Sequence, residues 1–116
     1  MNSQKLDIMQ RVAAVFKIAG IPCTHSVGYP GWNPNPLSPV LQTARKAYID
    51  LFKNEPVVTA IHAGLECGLF LEKYPDLDMI SFGPTIKGAH SPDERLEIKS
   101  VEKFWDLLLE ILKRVK

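Results

Sequence analysis

The sequence predicts an α/β chain in which a parallel strand-helix-strand unit is closed by a C-terminal helix and preceded by a separate helix and strand. Three observations carry this. Residues 57–61 and 78–82 are short apolar runs flanking one short helical segment, as expected of strands covered on both faces. Long segments at both ends of the chain repeat apolar residues at helical spacing. Between the first helix-strand pair and the rest lies Gly28-Tyr29-Pro30-Gly31-Trp32-Asn33-Pro34-Asn35-Pro36, too rich in glycine and proline for either regular element.

The first helix is expected over 4–19, with Ser3 as its cap and Gly20 to end it. Leu6, Met9, Val12, Ala13 and Phe16, with Ile8, Val15 and Ala19, make a wide apolar stripe that needs a cover. Residues 21–27 read as a strand, and His25 within it as a surface or edge residue. Helix and strand together are too little to close a core, so this piece looks like the end of something larger. A domain boundary is placed in the stretch that follows. Ser38-Pro39 then opens a second helix, an N-cap hydroxyl followed by proline at the first helical position. Its buried face is Leu41, Ala44, Ala47, Tyr48, Leu51 and Phe52, and Asn54-Glu55-Pro56 stops it.

The strand at 57–61 follows, then a short helix over 65–74 ended by Pro75, then the strand at 78–82, joined by a right-handed crossover. Residues 95–98 alternate as an edge strand. Ser100 is expected to cap the last helix, with Val101, Phe104, Trp105, Leu108, Ile111, Leu112 and Val115 as its buried stripe. Burying each large side chain contributes roughly 1.5–3 kcal/mol, so this helix alone would supply on the order of 10 kcal/mol before conformational entropy is subtracted.

Apolar residues at 46% and charged residues at 23% describe an ordinary globular protein. A net charge of +1, from 14 basic and 13 acidic side chains, provides no field to gather phosphates, so nucleic acid is excluded as a general partner. Cys23 and Cys67 are far apart and read as reduced thiols rather than a zinc ribbon or redox pair. Lys5, Asp7 and Arg11 interrupt the N-terminal apolar residues, so neither a secretory signal nor a membrane span is expected, and the cytoplasm is the default compartment.

The candidate chemistry lies where strands end in glycine-bearing loops with a histidine. His90, on a loop stiffened by Ser91-Pro92, suits metal ligation or proton transfer; since surface-loop histidines are common, the residues alone favour the plain surface reading. His62 and Glu66 have the i, i+4 spacing of a two-ligand clamp on a helix face. Alternatively, His62 ends its strand by bonding to loop backbone while Glu66 favours a positive helix N-terminus, and this second reading is preferred. Gly64 and Gly68 allow close backbone approach, either to a substrate or between helix and strand. Neither Ser81 nor Ser91 lies in a nucleophile elbow, and there is no phosphate loop. Zinc hydrolysis needs about three protein ligands per metal and a carboxylate base; the residues themselves offer one convincing ligand and no catalytic residue.

Through His62-Ala63-Gly64-Leu65-Glu66-Cys67-Gly68, Ser81-Phe82-Gly83-Pro84 and His90-Ser91-Pro92-Asp93-Glu94-Arg95, and from Gly28-Tyr29-Pro30-Gly31-Trp32 onward, the chain closely resembles the C-terminal end of the aminoacyl-histidine dipeptidases. These are also called cytosol non-specific dipeptidases, and are two-zinc peptidases related to carnosinase and peptidase T. The resemblance implies that residues 1–32 are the last helix and strand of a lid domain, of the dimerisation type, and that residues 33–116 are the closing part of a metallopeptidase catalytic domain. It implies that His90 is a zinc ligand and that Gly64, Glu66 and His62 line the substrate pocket. It implies two zinc ions per complete enzyme, dipeptide substrates such as Xaa-His, and other ligands and a general base in an N-terminal half outside this sequence. The chain would then be inactive alone, and would form a homo-oligomer or associate with the missing half. The alternative is a non-catalytic α/β binding or oligomerisation module.

Overall fold

The computed structural model describes residues 2–26, 28, 30–61 and 66–115. Four helices and one small sheet make up the regular structure of these residues: α1 (Asn2–Ile18), α2 (Pro39–Phe52), α3 (Cys67–Lys73), β1 (Ile86–Lys87), β2 (Arg95–Leu96) and α4 (Ile98–Arg114). They fall into two compact units, Met1–Pro34 with Ile61–Leu77, and Asn35–Ala60 with Asp78–Lys116.

In the first unit α1 begins at Asn2, which places Ser3 inside the helix rather than at its cap. Its end is as expected. Gly20 adopts φ 71, its N–H donates to Lys17 O, and Ile21 N–H donates to Phe16 O, satisfying carbonyls that the last turn leaves open. The stripe on α1 is largely uncovered: Leu6, Ile8, Val12, Val15 and Phe16 are all exposed. The described residues of the expected strand at 21–27 form no ladder, and His25 is exposed. Helix α3 is shorter than the expected 65–74 and ends just before Tyr74, whose N–H still donates to Phe70 O.

In the second unit every N–H of the first turn of α2 is accounted for. Pro39 has none, Val40 N donates to Asp78 Oδ2 at 2.8 Å, and Leu41 N donates to Ser38 Oγ at 3.0 Å. Ser38 is buried as a result. Helix α2 ends at Lys53, which takes the left-handed conformation (φ 58) more usual for glycine and donates its N–H to Ile49 O. Its buried face packs on α4, with Ala47 fully buried and Leu51 left exposed.

Helix α4 departs from expectation twice. It begins at Ile98 with Glu97 as the N-cap residue. Ser100 lies one turn in, where its Oγ accepts the Thr85 N–H at 2.8 Å and donates to Glu97 O, tying the strand pair to the helix. The expected stripe is also divided, because α2 covers one side only. Phe104, Leu108 and Ile111 are covered, Phe104 lying 5.5 Å from the Phe82 ring, while Val101, Trp105, Leu112 and Val115 are exposed. Part of the stabilisation expected from this helix is therefore not realised among the described residues.

Among the described residues the parallel strand-helix-strand unit is not formed. Residues 57–61 and 78–82 pair in no ladder among the described residues, and Val57, Val58 and Ile61 are exposed. A strand is stable only when a neighbour takes up its N–H and C=O groups. The pairing that does occur is antiparallel, Ile86 with Leu96 and Lys87 with Arg95, so the expected edge strand at 95–98 is real but shorter.

Candidate functional site

His90 lies in the loop that joins β1 to β2. It sits at φ 64, in the left-handed region that costs a non-glycine residue of order 1–3 kcal/mol unless its surroundings impose it. They do so here through side chains of the loop itself. The His90 N–H donates to Glu94 Oε2 at 2.6 Å. The Ser91 hydroxyl donates to Gly88 O at 2.7 Å and accepts from Asp93 N at 3.3 Å, while Ser91 N donates to Gly88 O and Glu94 N to Ser91 O, each at 3.0 Å. Gly88 is left-handed too (φ 66), and a Cβ there would crowd Ser91 Oγ at 3.0 Å and Asp93 O at 3.2 Å. The His90 side chain is exposed and its ring has no hydrogen-bond partner among the described residues. An imidazole so placed can bind a metal.

Glu66 stands at the N-terminal side of α3 and is exposed; its carboxylate makes no cap bond, and its carbonyl accepts the N–H groups of Leu69 and Phe70. His62 and Gly64 lie outside the described residues. Glu66 belongs to the first unit and His90 to the second. Gly68 is buried against the Pro30 carbonyl so closely that a Cβ would collide with it, so its use among the described residues is packing. Cys23 and Cys67 are free thiols. A shallow depression in the first unit is lined, among the described residues, by Phe70, Lys73, Tyr74 and Leu77, and Glu66 is not among them.

No group of three or more His, Cys, Asp or Glu among the described residues could hold a metal ion. By the chemistry of its donor set, His90 fits as one arm of a zinc site and no more. The loop bonds that hold it do not follow from the sequence pattern. A signal exists in the i, i+4 spacing of His90 and Glu94, but that spacing has meaning only once the segment is known to turn back on itself.

Residues 14–114 match the model of peptidase family M20/M25/M40, and the chain belongs to that family. It is 45% identical over 115 residues to the cytosol non-specific dipeptidase of Escherichia coli (strain K12), a match that spans 99% of this chain and 24% of that protein. Its fold is similar to that of the aminoacylhistidine dipeptidase from Vibrio alginolyticus, with a TM-score of 0.75 and 40% identity over 100% of this chain and 24% of that one. The chain thus spans about a quarter of the length of each. No helix among the described residues is long and apolar enough to cross a membrane.

Proposed function

We propose that this chain supplies the C-terminal part of a metal-dependent dipeptidase acting in the cytoplasm on dipeptides such as Xaa-His, with His90 as one ligand of a two-zinc centre. The observation that carries the reading is His90 itself, exposed on a loop whose own hydrogen bonds hold it in a left-handed conformation. The dipeptidase names of both relatives support it. Zinc bound there would polarise the scissile carbonyl and acidify water. Gly64, Glu66 and His62 are assigned to the substrate pocket. The boundary between lid and catalytic parts is assigned to the proline-rich stretch, with 1–32 on one side and 33–116 on the other.

The chain alone is expected to be inactive, because one imidazole cannot fix two metals and no general base is assigned to it. Purified chain with zinc and a Xaa-His dipeptide should show no turnover above buffer. Turnover that a chelator abolishes would overturn this. Conversely, a chimera in which this chain replaces the matching stretch of the E. coli relative should hydrolyse the dipeptide, and His90→Ala in it should lower kcat/KM by at least about 100-fold. The exposed apolar faces of α1 and α4 favour a second reading, a small non-catalytic association module. An inactive chimera that still pairs through those faces would favour it.

A further inference from the structure

We propose that Glu94 is a positioning residue for His90, its carboxylate anchoring the main chain so that the imidazole leaves the loop in one direction. The inference rests on the reading of His90 as a metal ligand and adds a residue to it. The Ser91 N–H, bonded to Gly88 O, holds the peptide plane that follows His90, and the bond from the His90 N–H holds the plane that precedes it; with both planes held, φ and ψ are set and so is the direction in which Cβ and the ring leave the chain. Glu94 Oε2 accepts that N–H at 2.6 Å, and a carboxylate acceptor makes this a charge-assisted bond of the stronger kind. The N–H has no other partner among the described residues. Ser91 acts on another part of the loop, where its hydroxyl ties Gly88 O to Asp93 N and holds the turn whether or not Glu94 is present. Glu94 is therefore the group whose loss would release His90 while leaving the turn and the strand pair in place. Among the described residues the use its carboxylate shows is the bond to His90.

The test has two arms. In the ¹⁵N-labelled full chain, the His90 amide should resonate downfield and give the strong intraresidue HN–Hα cross-peak of a left-handed residue. Both signs should be lost in Glu94→Ala and recovered in Glu94→Gln, whose carbonyl accepts the same bond, with the amide signals of α2 and α4 unmoved in each variant. In the chimera, Glu94→Ala should weaken zinc binding by about 10- to 100-fold, and Glu94→Gln should recover most of it. Identical His90 signals in the wild type and Glu94→Ala would overturn the proposal, as would an unchanged zinc affinity when His90→Ala weakens it. If His90→Ala leaves zinc binding intact, the ligand reading itself fails, and with it the positioning role.

Discussion

Ser38 shows how much a single buried hydroxyl decides. It is nearly inaccessible, accepts the Leu41 N–H at 3.0 Å, and stands beside a proline whose missing N–H needs no partner. Ser38→Ala should therefore lower the stability of the second unit by about 1–2 kcal/mol, the usual loss for a good N-cap, read from the urea midpoint. A midpoint equal to that of the wild type would mean that Asp78 alone suffices as the cap. Ser38 and Pro39 are legible in the sequence because capping is local. Asp78 is not, since it reaches Val40 N from 38 positions away. Ser100 misleads for the same reason: a serine near a helix start looks like a cap, yet its oxygen is occupied by the N–H of Thr85, the residue just before β1.

The pairing of α2 with α4 is fastened at its polar edge by Arg114. Its guanidinium reaches Asp50 Oδ2 at 2.8 Å on α2 and Glu110 Oε1 at 2.7 Å one turn back on its own helix. The hydrogen bond from Arg114 holds both carboxyls below the ordinary carboxylate range; desolvation opposes it in part, and the guanidinium charge adds a smaller lowering. A lowered carboxyl pKa means that the folded form binds protons less readily than the unfolded one. The contribution of this network is thus complete above the ordinary carboxylate range, about pH 4, and is lost as pH falls through the lowered values. Arg114→Met should flatten the fall in urea midpoint between pH 6 and pH 3 while leaving most helix signal in place; an equally steep fall in both proteins would show that other groups carry it. At the next turns of α4, Trp105 and Leu112 are exposed although the same periodicity predicts them buried. Periodicity identifies an apolar side, and the number of neighbours decides how much of that side is covered.

For the whole molecule the dominant fact is apolar surface without cover. The chain exposes 9747 Å², whereas even two separate compact bodies of half its mass would together expose about 7,700 Å². Ala47 and Ile111 are the buried hydrophobic residues among those described, and no large side chain there is fully buried. Such a surface should bind a hydrophobic dye and drive association with another copy or with a partner of matching apolar surface. Light scattering on the purified chain should report species larger than a monomer. A strict monomer that binds no dye would show that these faces find a cover within the chain.

The helices, the left-handed end of α1, the cap of α2 and the dipeptidase likeness are legible along the chain, because each rests on residues a few positions apart or on a motif read in order. Which segments pair is settled in three dimensions: among the described residues 57–61 and 78–82 form no ladder, α4 is covered on one side, and His90 is held by Glu94 at the end of an antiparallel hairpin. The reason is physical. Strand pairing, burial and a left-handed histidine are properties of a residue together with its neighbours in space, and the order of the chain does not state which neighbours those are.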